Sequence, residues 1–296
     1  MADGGKVEKA GKMMPAGRGR QVKFAPGGMA PAARADDVAV LAPRQEPEPP
    51  VAQGIDLSGK PKIVFAAGRG KTGKTTLLRW LTEISLGAGN SVLLADIDPS
   101  NASFSAYFED VSRPDTDDPA GVRHWLVELL DFCASGRQSA IVDLGGGDTT
   151  LRVIATDMPG FGTQLEAAGI APVMFYLCGT QPEDLAPALT LAARGFHPRA
   201  QAIVLNEYSI PAGVPRVQAF ARLVASPAFS ELVRSGIQLW MPRLFAADAI
   251  ETRRCWFTDA REGKVDPPLG VFDGVRLRAW LEAMDRRFAG VRSWIP

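Results

Sequence analysis

The chain has 296 residues, 46% of them apolar and 22% charged, and its 33 Lys and Arg balance 33 Asp and Glu. That is ordinary globular usage, which excludes wholesale disorder; the zero formal charge excludes a global basic field, so nucleic-acid binding would need a local patch. Three widely spaced cysteines (Cys133, Cys178, Cys255) argue for a reducing compartment, and two histidines (His124, His197) without CxxC or HxxxH spacing leave no case for a zinc site. No apolar run approaches the roughly 20 residues of a membrane span and no secretory h-region is found, so a cytoplasmic protein is expected.

Residues 1–58 read as a disordered tail, crowded with Gly, Ala, Pro and charge and closing on a Pro-Glu cluster at Pro47 to Pro50. Such a stretch buries too little surface to offset its ordering entropy. Its first part is basic, with Lys6, Lys9, Lys12, Arg18, Arg20 and Lys23 against Asp3 and Glu8. Two readings stand. One is an electrostatic arm for nucleic acid, anionic lipid or an acidic partner. The other is a solvated tail or codons upstream of the start, since Met13, Met14 and Met29 are alternative initiators.

Residues 59–296 form the second unit. From Lys60 onward short apolar runs alternate with amphipathic stretches, the pattern of a mainly parallel α/β sheet with helices on both faces. Strands are predicted at Ile63 to Ala67, Ser91 to Ala95, Ser139 to Asp143, Val173 to Leu177, Ala202 to Leu205 and Ile237 to Trp240. The first is followed by a helix from Gly73 to Leu86, stopped by Gly87 and Gly89. Later helices are predicted at Ala120 to Ala134, Pro182 to Ala193, Pro215 to Val224 and Phe229 to Arg234. Trp240-Met241-Pro242 ends the last strand. The C-terminal stretch carries an apolar stripe of Leu277, Trp280, Leu281, Met284, Phe288 and Val291, with Arg276, Arg278, Arg286 and Arg287 on other faces. That spacing is an amphipathic helix.

Between the first strand and first helix stands Gly68-Arg69-Gly70-Lys71-Thr72-Gly73-Lys74-Thr75, which matches GxxxxGK[ST]. Glycines let the backbone curl so that successive N–H groups point at phosphates, and the helix N-terminus adds partial positive charge. Residues 68 to 76, through Thr76, are therefore the expected nucleotide cradle. Lys74 is expected at the β- and γ-phosphates and Thr75 on Mg²⁺. Strand two ends in Asp96-Ile97-Asp98-Pro99-Ser100-Asn101, with carboxylates at i and i+2 on the ligand edge of a parallel sheet. One can hold Mg²⁺ through water while the other orients the attacking water. Strand three ends in Asp143-Leu144-Gly145-Gly146-Gly147, a carboxylate that supports the metal next to a mobile glycine loop.

A phosphate loop with a second basic residue near its start, DxDP after strand two and an apolar strand ending in Asp-x-Gly together resemble the ParA/MinD group of deviant-Walker P-loop ATPases. The resemblance covers roughly Lys60 to Met241. It implies an ATPase using ATP and Mg²⁺, slowly turning over until a partner stimulates it, and working as an ATP-dependent homodimer. In that group the loop is KGGxGKT, and its early lysine contacts the phosphates of the dimer partner. Here Arg69 occupies that place and Lys71 replaces the second glycine, so the resemblance leaves both as the residue acting across the dimer. It maps the hydrolytic aspartate onto Asp98, places Asp96 beside Mg²⁺, and puts Asn206 at the adenine edge. The segments Asp96 to Phe104 and Leu205 to Tyr208 are also similar to the TraL family of plasmid conjugal-transfer proteins, which belong to type IV secretion and mating gene clusters. Plasmid DNA or a conjugation or secretion complex is the cargo this implies.

Weaker signals stay open. MinD-like proteins place a C-terminal amphipathic helix on membranes, although such a stripe more often packs on its own domain. Arg253, Arg254, Arg261 and Lys264 could form a DNA patch or a solvated surface. The competing functions are a nucleotide-bound adaptor that does not hydrolyse and, further off, a small-molecule P-loop kinase; no NKxD supports a GTPase.

Overall fold

The computed structural model describes residues 46–98, 104–145 and 149–296. The expected tail up to residue 45, the Pro99-Ser100-Asn101 segment and the Gly146-Gly147 pair lie outside the described residues.

In chain order the elements are β1 (Lys62–Gly68), α1 (Lys74–Gly87), β2 (Leu93–Asp96), α2 (Pro119–Gly136), β3 (Ala140–Asp143), α3 (Thr150–Asp157), α4 (Phe161–Ala167) and β4 (Ala171–Cys178). The second half adds α5 (Ala186–Ala193), β5 (Ala200–Asn206), α6 (Arg216–Val224), α7 (Pro227–Arg234), β6 (Ile237–Met241), α8 (Ala247–Arg253), α9 (Phe257–Glu262) and α10 (Val271–Arg287). The six described strands form one parallel sheet in the order β2-β3-β1-β4-β5-β6. The long β1–β4 pairing runs from Lys62↔Ala171 to Gly68↔Leu177.

Both faces of the sheet are covered, and for that reason the strands read as continuous apolar runs. Alternate residues serve different cores. Ile63, Phe65, Met174, Tyr176 and Ile203 pack against α2 to α7, while Val64, Phe175, Leu177, Val204 and Leu239 pack against α1 and α8 to α10. The C-terminal stripe belongs to the second core. All six of its apolar residues are buried, and Trp280 donates its indole N–H to the Pro242 carbonyl at 2.9 Å.

Helices α3, α4, α8 and α9 were not expected. Each has six to eight residues, and α9 buries only Phe257 and Ala260. So short a stripe shows no periodicity, and tertiary packing supplies the stability that propensity lacks. The expected helix at Pro182 begins as a 3₁₀ turn, Pro182–Leu185, before α5.

The folded unit takes in residues 46–58, which composition assigns to the tail. Leu57 is fully buried, a contact that stabilises by about 1.5–3 kcal/mol. Backbone and polar bonds do the rest: Gly54 N–H to the Gly290 carbonyl, Leu57 N–H to Ser293 Oγ, and the Trp294 indole to the Ile55 carbonyl. Glycine is required where this segment crosses the 3₁₀ turn Ala289–Trp294, since a Cβ on Gly290 would sit 2.0 Å from the Ala52 carbonyl oxygen. At its start Glu48 pairs with Arg287 at 2.9 Å, and Arg287 reaches Glu207 at 2.7 Å. The segment is held by ions and main chain, which apolar pattern does not register.

Candidate functional site: a phosphate loop at the carboxyl edge of the sheet

Helix α1 leaves β1 toward one face, whereas the chain leaving β3 and β4 goes to the other. That divergence opens a crevice at the carboxyl ends of the strands beside β1, where ligands of open α/β sheets bind. The phosphate loop lies on its rim. Gly68 is needed because a Cβ there would strike the Leu177 carbonyl oxygen at 2.6 Å and Thr72 Oγ1 at 2.7 Å. Gly73 is needed twice over, with φ +92° and a Cβ position 2.5 Å from Asn206 Nδ2. Lys71 takes a left-handed backbone (φ +63°) with an exposed side chain. Inside the loop, Thr72 Oγ1 donates to the Arg69 carbonyl at 2.7 Å.

Asn206, at the end of β5, holds the loop from behind. Its Nδ2 donates to the Thr72 carbonyl at 2.8 Å and its Oδ1 accepts from Tyr208 N–H, with the residue 3% exposed. The structure shows Asn206 as a brace on the loop's backbone.

Gly73 gives this 14-residue helix no side-chain cap at its N-terminal N–H groups. Those groups and the helix dipole are an anion site. Lys74 is buried in that turn, its ammonium on the Gly68 and Arg69 carbonyls at 3.4 and 3.3 Å. Burial lowers its pKa, while the Asp143 and Asp98 charges act to raise it. Thr75 Oγ1 donates to Asp143 Oδ2 at 2.8 Å, and Thr76 follows, half-buried, in the same turn.

The carboxylates converge through the β2–β3 register, which pairs Asp96 with Asp143. Asp96 staples its own loop: Oδ1 accepts from Asp98 N–H at 3.2 Å and Oδ2 from Ser105 N–H at 3.0 Å. Asp98 is half-buried against Gly145, where an added Cβ would lie 3.0 Å from its carboxyl carbon. Asp143 is 3% exposed, and its pKa is pushed up to about 7. Burial is the main cause and Asp96 and Asp98 add to it, against the Thr75 hydrogen bond and the Lys74 charge.

The residues fit a nucleoside triphosphate with Mg²⁺. An N-terminus without a side-chain cap and the neighbouring Lys74 ammonium suit a phosphate, and three carboxylates with the Thr75 hydroxyl are a hard-oxygen donor set. Among the described residues, no three Asp, Glu, His or Cys stand close enough to hold a metal unaided. Magnesium ordinarily completes its shell with water and substrate phosphate, and Thr75, Asp96 and Asp143 are the groups that would hold it.

Arg69 does not face outward freely: its Nη1 lies 3.4 Å from Asp184 Oδ1 in the turn after β4. Sequence reasoning missed Asp184, and nothing local points to it. Three of the four residues of the expected basic patch are committed to the chain's own groups. Arg253 donates to the Ala249, Pro267 and Pro268 carbonyls, and Arg261 and Lys264 pair with Glu262. Cys133 and Cys178 are core residues, while His124 and His197 are exposed. Among the described residues no helix is long and apolar enough to cross a membrane.

No protein-family model matches the chain, and no curated protein matches it. Among solved structures it is similar to FtsY from Mycoplasma mycoides, at 14% identity and a TM-score of 0.37, over 62% of this chain and 61% of that one. It is also similar to the signal recognition particle receptor FtsY from Elizabethkingia anophelis in complex with GDP, at 16% identity and a TM-score of 0.38, over 64% of this chain and 59% of that one. The chain spans about three-fifths of each of these proteins, and at such scores the likeness carries no functional argument. What stands on the coordinates is the parallel sheet with a GxxxxGK[ST] loop between β1 and α1: an α/β fold of the P-loop NTPase kind.

Proposed function

We propose that this chain is a nucleoside-triphosphate-hydrolysing switch of the ParA/MinD kind, using ATP and Mg²⁺, and that it works in the cytoplasm as an ATP-dependent homodimer. The observation that carries the nucleotide reading is the Thr75–Asp143 hydrogen bond of 2.8 Å beside Lys74 at an uncapped helix N-terminus. Bound Mg²⁺ would neutralise charge on the phosphates. The cradle of residues 68 to 76 binds and orients the phosphate chain, and Lys74 stabilises charge on it. Asp98 orients the attacking water; Asp96, by bonding to Asp98 N–H, holds it in place. Water adds to the γ-phosphorus, the bond to the bridging oxygen breaks, and ADP and phosphate leave.

Support for the ParA/MinD assignment is the DxDP segment and the basic residue at position 69. The same resemblance suggests plasmid DNA or a conjugation or secretion complex as the cargo moved or recruited. The burial of the C-terminal stripe argues for the packing reading of that helix over a membrane one. Light scattering with ADP, ATP and a slowly hydrolysed analogue, alongside phosphate release, tests the proposal. Mass should double only with the triphosphate and fall on hydrolysis. Lys74→Ala that binds and turns over ATP normally would refute the site; constant mass without turnover would favour a nucleotide-bound adaptor.

A further inference from the structure

Between the phosphate loop and the turn after β4 lies a cleft of about 340 Å³, walled by Arg69 to Thr72 on one side and by Gly179 to Gln181, Asp184 and Ser209 on the other. Arg69 and Lys71 put two cations on one wall. Asp184 lies on the opposite side, and the fold fixes it. Its Oδ2 accepts from Gln181 N–H at 3.3 Å, its backbone carbonyl accepts from Cys178 Sγ, and its side chain is 9% exposed. The turn leaves it no slack, because a Cβ on Gly179 would sit 2.8 Å from Asp184 Oδ2 and 3.0 Å from Ser209 Oγ. Arg69, by contrast, is 59% exposed and touches the carboxylate through one nitrogen at 3.4 Å. The anion is rigid and the cation is free to leave.

We propose that Asp184 is a positioning residue: an intrachain counter-ion that parks Arg69 across the cleft, so that the guanidinium reaches a phosphate only by giving up the carboxylate. The inference rests on the nucleotide reading above and deepens it by naming what the arginine gives up. Guanidinium binds phosphate at least as readily as carboxylate, so the exchange is close to balanced and Asp184 sets the affinity at which Arg69 engages. The same contact keeps a strong anion hook from capturing unrelated phosphates when no triphosphate is present.

The test uses the full-length protein, Mg-ATP and a coupling cycle over Arg69→Gln, Asp184→Asn and the double variant. Asparagine retains an oxygen for Gln181 N–H, and thermal unfolding is read alongside. Asp184→Asn should lower the KM for Mg-ATP roughly twofold to fivefold, the size that a part-exposed ion pair carries. That gain should shrink as ionic strength rises and vanish in the Arg69→Gln background. A gain that persists without Arg69, or no change in KM, overturns the pairing. Lys74→Ala separates the two levels. If triphosphate binding is absent or indifferent to Lys74, the nucleotide reading and this proposal fall together. If binding needs Lys74 but ignores Asp184→Asn, the proposal alone falls.

Discussion

Asp143→Asn should reshape the pH dependence of stability in the protein freed of divalent cations. The carboxyl is pushed up to about 7 from 3.8, chiefly by burial. The folded chain therefore binds this proton more tightly than the unfolded chain, and the stability it contributes is full below about pH 4 and lost as pH rises through about 7. A gap of about three pH units, at about 1.4 kcal/mol each, makes the loss about 4 kcal/mol by about pH 8. The asparagine keeps an acceptor for the Thr75 hydroxyl and carries no charge, so it escapes this loss. Leaving its amide hydrogens poorly paired adds a constant cost of about 1–3 kcal/mol, which does not vary with pH. The variant-minus-wild-type difference should thus climb by about 4 kcal/mol between about pH 4 and about pH 8, or roughly 8–16 °C in melting temperature. Thermal unfolding in chelator across that range measures it. Added Mg²⁺ should selectively lift the wild type at high pH, because a cation favours the ionised carboxylate. Parallel curves for the two proteins would refute the account of Asp143 as a buried charge awaiting a cation.

Other perturbations test the surrounding construction. Leu57→Ala should cost about 2–4 kcal/mol by urea unfolding, since it empties a fully buried site; a cost near zero would return residues 46–58 to the tail. Gly73→Ala should cost at least about 1–2 kcal/mol from its left-handed backbone alone, and it drives a methyl into Asn206. Gly70→Ala, facing open space, should stay within about 0.5 kcal/mol; equal losses at the two glycines would contradict the loop geometry. Arg287→Ala should cost about 1–3 kcal/mol by taking one of two arginine partners from each of Glu48, which keeps Arg286, and Glu207, which keeps Arg216, and adding Glu207→Gln should recover part of it. A cycle without coupling would show that the pair is not felt.

The chain announces its local structure plainly. An apolar run meeting GxxxxGKT encodes a strand, a loop of donors and a helix within about two dozen neighbouring residues, and β1 and α1 lie within a residue or so of their expected bounds. Six strands and the C-terminal stripe were legible for the same reason, because side-chain periodicity is a short-range property. Carboxylates at strand ends could be placed at the ligand edge because parallel connection makes all those ends neighbours.

Only the tertiary structure decided how those groups are held. Asn206 meets Thr72 across 134 residues and Arg69 meets Asp184 across 115, so no pattern at either position names its partner. Short α3, α4, α8 and α9 exist by packing rather than by propensity. Residues 46–58, poor in apolar pattern, are fixed by Leu57, by main-chain bonds and by the ion pairs of Glu46 and Glu48. A sequence specifies which groups sit together when adjacency along the chain or a repeated period does the placing. Where strand order and a long crossover do it, the contact is a property of the folded chain alone.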